Sequence, residues 1–215
     1  MVILGLTGSI GMGKSTAAAM LLRLGVPVHD ADAAVHRLSA RGGSAVPAIA
    51  SAFPGVAANG AVDRQKLGAA VFADAQALKR LEAILHPLVR REETRFLSAA
   101  ARRRVRVAAL NIPLLYETGG ERRCDAVAVL SAGAAIQRAR VMGRAGMTRE
   151  KLAGILSRQM PDAVKRRRAD FVVLTGLTKR ATFCQLVRIV AALRFRRGRV
   201  WRPGAAGPWK RMESR

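Results

Sequence analysis

The stretch Gly8-Ser9-Ile10-Gly11-Met12-Gly13-Lys14-Ser15 fits the pattern G-x-x-x-x-G-K-[ST]. Its three glycines allow a backbone that turns sharply and comes close to a ligand. Successive N–H groups in such a turn form a concave nest for phosphate oxygens. Lys14 brings a mobile positive charge to the β- and γ-phosphates, and the Ser15 hydroxyl is a ligand for Mg²⁺, whose other ligands are phosphate oxygens and water. The flanks agree with this reading. Val2-Ile3-Leu4-Gly5-Leu6 is a short apolar run suited to a buried parallel strand, and Ser15-Thr16-Ala17-Ala18-Ala19-Met20-Leu21-Leu22 favours helix. Strand, glycine loop and helix in that order predict an α/β fold of the P-loop NTPase type, a parallel sheet flanked by helices, with a helix N-terminus aimed at the phosphates. Gly8, Gly11, Met12, Gly13, Lys14, Ser15 and Thr16 are the expected nucleotide contacts, with Ser15 also the metal ligand. The motif implies binding of a nucleoside triphosphate and leaves open what happens to the γ-phosphate.

Beyond the motif, composition narrows the class. The 215 residues make one moderate domain or a core with insertions, and with 50% hydrophobic residues the chain can bury a core. No apolar run has the length of a membrane span. The N-terminal apolar run leads straight into the glycine loop and is read as a strand rather than a signal peptide. Cys124 and Cys184 give neither a disulfide framework nor metal spacing; both are expected reduced and buried or half-buried, in a cytoplasmic enzyme. The net charge of +24 has two readings, a phosphate-rich partner or the drift of an Ala- and Arg-rich, GC-biased composition. Basic residues concentrate in 138–168 and 194–215.

Taken in order, Leu24-Gly25 marks the end of the first helix, and Val26-Pro27-Val28-His29 is a second strand. Asp30-Ala31-Asp32 follows it directly, at the carboxyl end where ligands of parallel sheets bind. One carboxylate is expected to cap the helix over 33–40 and the other to face the ligand; Asp32, further out, is assigned to chemistry. Residues 33–104 show no convincing strand and read as a helical insertion, with Asp63-Arg64 opening a helix and Pro87 kinking or restarting another. His86 reads as a hydrogen-bonding residue at that break. Residues 105–112 form a third strand, ending in Pro113-Leu114-Leu115-Tyr116-Glu117, with the leucine pair at the ligand end or in packing and Glu117 in solvent. Strands follow at 125–130 and 170–174. Between them lies a helix over 134–143, on which Arg140 and Arg144 share a face, and then a break where Thr148 can cap the next helix. Those arginines are either a closing lid or a solvated basic face. The helix over 178–195 buries Phe183, Leu186, Val187, Val190 and Leu193, and Arg196 to Arg215 reads as a flexible basic tail.

Together these residues resemble the dephospho-coenzyme A kinase family. The matching pieces are residues 5–16 with the glycine loop, Asp30-Ala31-Asp32, Asp63-Arg64 with Val71-Phe72, His86-Pro87, Pro113-Leu114-Leu115-Tyr116-Glu117, and Gln137, Arg140 and Arg144 with Gln159 beyond. Order and spacing fit from Ile3 to about Leu193. The resemblance implies a single P-loop kinase domain over 1–195: a core of about 1–32 and 105–195, a helical substrate domain near 60–100, and a lid near 138–150. It implies transfer of the ATP γ-phosphate to the ribose 3′-hydroxyl of dephospho-CoA, the last step of coenzyme A synthesis, with Mg²⁺. Asp32 would be the general base, Lys14 the phosphate clamp, and Arg140 and Arg144 the lid arginines, with Arg144 catalytic. Asp32, Arg64, His86, Leu114 and Arg140 would bind the acceptor. Leu174-Thr175-Gly176-Leu177 departs from a more polar family turn that is implied to touch the ATP base, and the tail at 196–215 has no counterpart.

The residues carry this chemistry without the resemblance. Phosphoryl transfer needs positioning and charge neutralisation, with a carboxylate to orient the hydroxyl and take its proton. Another P-loop nucleoside or nucleotide kinase would share the core and differ in the insertion. A nucleic-acid-binding P-loop protein is disfavoured by sparse aromatics and by the absence of a base-reading basic helix. The expected partners are therefore ATP and dephospho-CoA, with nucleic acid bound only non-specifically through the tail and no membrane.

Overall fold

A computed structural model describes residues 1–72 and 74–201. The chain divides into two compact units, Met1–His29 with the chain from Leu97 onward, and Asp30–Phe96.

The first unit is built on a five-stranded sheet of β1 (Val2–Thr7), β2 (Val28–Asp30, whose last residue opens the second unit), β5 (Val107–Asn111), β6 (Ala126–Ser131) and β7 (Phe171–Leu174). The order is β2-β5-β1-β6-β7, and β1 pairs parallel to both β5 and β6, as β6 does to β7. The central strands are buried on both faces, which is why they read as unbroken apolar runs. Alternation still sorts them. Leu4 and Leu6 of β1 and Ala128 and Leu130 of β6 join one cluster with Ala17 and Leu21 of α1 (Lys14–Arg23) and Leu186, Val190 and Leu193 of α9 (Lys179–Arg194). Val187 was expected in that stripe, but it is 40% exposed, because the buried side of α9 follows 182, 186, 189, 190 and 193. This unit also holds α6 (Ala134–Met142), α7 (Arg149–Ser157) and α8 (Asp162–Arg168). Thr148 caps α7 as expected.

β6 and β7 begin one residue later than the sequence indicates, and the aspartate before each also bonds to the neighbouring strand through its side chain. Asp125 accepts from Ile3 N–H at 2.7 Å, and Asp170 from Val127 N–H at 2.8 Å, each closing the amino end of a neighbouring strand. Asp125 also accepts the N–H groups of Arg199 and Val200. The start of the expected tail thus lies against the amino edge of the sheet, with Gly198 so close to the Met1 carbonyl that no side chain fits there. Residues 202–215, the rest of that tail, lie outside the described residues. Cys124 is half-buried, whereas Cys184 is exposed, not buried as expected.

The second unit holds α2 (Ala31–Ser39), α3 (Val46–Ala52), α4 (Arg64–Phe72) and most of α5 (Ala75–Arg102), around a core that includes Leu38, Ile49, Phe53, Val62, Leu67 and Leu81. Two features differ from the expectation. A short antiparallel hairpin, β3 (Ala57–Ala58) and β4 (Ala61–Val62), sits where no strand was expected. Its turn is Asn59-Gly60, with φ 53° and 74°, the left-handed pair that matches the twist of a two-residue hairpin. And α5 continues through Pro87 for 28 residues, so Pro87 does not restart the helix, the other outcome expected of it being a kink. Proline removes one N–H and crowds the carbonyl four residues back. Here His86 and Pro87 face solvent while Ile84, Leu85, Leu88 and Val89 pack on the core, so packing on both sides of Pro87 carries the helix across it.

Candidate active site

The carboxyl end of β1 runs into the glycine loop. Gly8 passes so close to β6 that a Cβ there would lie 2.5 Å from the Leu130 carbonyl oxygen. Gly11 has φ 77° and would press a Cβ into Val141. Lys14 folds back, its Nζ donating to the carbonyls of Gly8 (2.6 Å) and Ser9 (3.3 Å). Ser15 and Thr16 are exposed in the first turn of α1.

Side chains from distant segments hold the next three carbonyls of the loop. Gln137 Nε2 donates to Ile10 O at 2.8 Å, Arg140 Nη1 to Gly11 O at 3.3 Å, and Thr175 Oγ1 to Met12 O at 3.0 Å. In a trans peptide the N–H points opposite its carbonyl. Tying the carbonyls of Ile10 and Met12 to α6 and to the turn after β7 therefore directs the N–H groups of Gly11 and Gly13 to the other side, the orientation a phosphate nest requires. Two further contacts fix the loop: Gln159 Oε1 accepts Ile10 N–H at 3.1 Å, and Met12 Sδ accepts Ala132 N–H at 3.0 Å.

The expected lid arginines divide. Arg140 also donates to Thr175 O at 2.6 Å and to its hydroxyl at 3.2 Å, so in this state it braces the loop. Arg144 is exposed and lies beyond the end of α6 at Met142, not one turn up the same helical face.

Following β5, Leu115 is fully buried and Leu114 half-buried. Glu117 is not in solvent as expected. Its Oε1 meets Lys165 Nζ at 2.8 Å and accepts Met160 N–H at 2.8 Å. Burial alone would raise the carboxyl's pKa, but these two hydrogen bonds outweigh it and hold the group below its ordinary range. Tyr116 beside it is buried, which pushes the phenol up to about 12, and the Arg168 guanidinium lies 4.6 Å from its ring centre. At the carboxyl ends of β6 and β7 a cavity of about 420 Å³ opens between Ser131, Gly133, Ile136, Asp162, Arg166 and the turn Leu174 to Leu177.

The other expected residues belong to the second unit. Asp30 caps α2, accepting Ala33 N–H at 2.9 Å, so of the two carboxylates it is the capping one. Asp32 is exposed in the first turn of the same helix. Arg64 opens α4 and lies 3.4 Å from His36 Nδ1, while His86 is exposed on α5. His36 was not singled out from the sequence, and Gln137, Gln159 and Thr175 had no stated role. No group of three or more His, Cys, Asp or Glu side chains could hold a metal among the described residues. No helix among them is long and apolar enough to cross a membrane.

Comparison with known proteins follows this geometry. A family model described as Dephospho-CoA kinase matches residues 2–178. A dephospho-CoA kinase of Paramagnetospirillum magneticum is 67% identical over 166 residues, 77% of this chain and 78% of its own length. Another, from Mesorhizobium japonicum, is 54% identical over 198 residues, 92% of this chain and all of its own. A crystal structure of a Thermus thermophilus protein superposes with a TM-score of 0.78 at 36% identity, covering 89% of this chain and 96% of that one.

Proposed function

The chain belongs to the dephospho-CoA kinase family, and from that premise we propose that it transfers the γ-phosphoryl group of ATP to the ribose 3′-hydroxyl of dephospho-CoA. The observation that carries the reading is the match over residues 2–178, which takes in the glycine loop, Asp32, Arg64, His86, Leu114 and both lid arginines.

The roles follow from chemistry. Gly8, Gly11, Met12, Gly13, Ser15 and Thr16 receive the phosphates, and Lys14 leaves its carbonyl partners to meet the β- and γ-phosphates. The exposed Ser15 hydroxyl fits a Mg²⁺ ligand; the ion supplies charge neutralisation on the phosphates when bound. The cavity bounded by Leu174 to Leu177 receives the ATP base. Asp32 orients the acceptor hydroxyl and takes its proton, while Asp30 caps α2. Arg64, His86 and Leu114 bind the acceptor. Arg140 and Arg144 belong to a lid over 138–150 that meets the charge developing on the phosphoryl group and keeps water from replacing the acceptor. The helical substrate domain lies near 60–100, and the enzyme works in the cytoplasm.

ATP turnover measured with and without dephospho-CoA, with the phosphate position of the product determined, tests the reaction. Turnover that does not depend on dephospho-CoA, or a phosphate placed elsewhere, rejects it. Asp32→Asn keeps the side chain's size but cannot take a proton. Its turnover should fall by roughly 10²- to 10⁴-fold, with ATP binding retained; loss in Asp30→Asn alone would move the base two residues back.

A further inference from the structure

Lys165 is fully buried, although it stands in the run Lys165-Arg166-Arg167-Arg168 that reads as a solvated basic face. Replacing a buried ion pair by apolar side chains of similar volume is often neutral or stabilising, so stability alone explains such a pair poorly. Nor is the pair needed to seat α8, which is already tied by Asp162 to the Ser131 hydroxyl at 2.7 Å and by Arg168 to Glu121 at 2.7 Å.

What Glu117 joins is two loop segments. It stands in the loop that carries Leu114, between β5 and Gly120, and the oxygen that meets Lys165 of α8 also accepts the N–H of Met160. The preceding residue, Gln159, holds Ile10 of the glycine loop through its side chain. From Lys165 the contacts therefore run to Glu117, to the backbone of Met160, through Gln159 and into the glycine loop. β5 and β1 are neighbours, and the Thr7 hydroxyl donates to Pro113 O at 3.1 Å. That bond fixes the roots of the two loops; the path through residues 159–160 fixes their far ends.

We infer that Lys165 is a positioning residue, which through Glu117 and the 159–160 segment sets the spacing between the phosphate-holding loop and the loop bearing Leu114. The inference rests on the roles proposed above for those loops. Lys165 has no contact with substrate; its effect is on where the γ-phosphoryl group stands relative to the acceptor.

The test uses the full chain with Glu117→Gln/Lys165→Met, which removes both charges and keeps both shapes. The double variant should melt close to the wild type, whereas Lys165→Met alone leaves the half-buried Glu117 carboxylate without its cation and melts below it. In the double variant kcat should fall roughly 10- to 100-fold, the scale of displacing reacting groups by an ångström or less, with KM for ATP little changed. Hydrogen exchange at the Ile10 amide should also quicken. A folded double variant with wild-type kcat and wild-type Ile10 exchange overturns the inference. If the double variant does not fold, Gln159→Leu cuts the same path at a half-buried side chain. Combined with Glu117→Asp its effect on kcat should be less than additive, and strict additivity overturns the inference. The exchange measurement needs no substrate, so a wild type that fails to phosphorylate dephospho-CoA rejects the function while the coupling is still decided.

Discussion

The two edges of the sheet in the first unit are finished in opposite chemical styles. At the amino edge carboxylates take backbone N–H groups: Asp125 those of Ile3, Arg199 and Val200, and Asp170 that of Val127. At the carboxyl edge donors take backbone carbonyls: Lys14 those of Gly8 and Ser9, and Gln137, Arg140 and Thr175 those of Ile10, Gly11 and Met12. The first style closes the edge and ties down a terminal segment. The second brings positive side chains and oriented N–H groups to one place, where an anion belongs. The difference is one of balance: at the carboxyl edge Gln159 Oε1 and Met12 Sδ also accept N–H groups, but most of the side chains there donate to carbonyls.

The strongest challenge to that contrast is Lys14→Ala. It should reduce transfer to the limit of detection in a protein that folds and melts like the wild type, because its carbonyl partners at Gly8 and Ser9 lie within its own loop. Retained activity would remove the chemical meaning of the carboxyl edge. Asp125→Ala is the converse. It takes the acceptor from three N–H groups and should cost about 3 kcal/mol, or roughly 6–12 °C of Tm at this size, with kcat unchanged. A matching loss of kcat would mean that the two edges are not separable.

Thr175→Val is subtler. It keeps the shape, removes the donor to Met12 O and one of the two acceptors that Thr175 offers Arg140, and should raise KM for ATP about fivefold, the worth of one hydrogen bond near 1 kcal/mol, while thermal melts move little. The smallest effect is one of pH. The Glu117 carboxyl is held below its ordinary range, so its contribution to stability is complete above that range and is lost as pH falls through the lowered value. Thermal melts taken from neutral into acid pH should show this slope in the wild type and a flatter one in Glu117→Gln.

The glycine loop was legible because its meaning is local: eight consecutive residues and their flanks carry it. What holds the loop was not, since Gln137, Arg140, Gln159 and Thr175 reach it across 127 to 163 residues of chain. Asn59-Gly60 did carry a hairpin signal, but the strands it joins are two residues each, too short for alternation to show. Pro87 pointed to a kink or a restart, and packing overrode the restart; Lys165 was hidden by its basic neighbours. Asp30 and Asp32 were separable in part, because a helix start requires a cap and only one of the two could supply it.

The tethered carbonyls also bear on the heat of nucleotide binding. A loop that is already immobile before ATP arrives loses little conformational entropy on binding; that loss was incurred when the chain folded. Calorimetry should therefore show a weaker entropic penalty for ATP in the wild type than in chains whose tethers are cut. Part of the affinity for ATP is thus stored in side chains such as Gln137, which hold the loop rather than the ligand, and a substitution far along the sequence can weaken the nucleotide site without altering a group that contacts ATP.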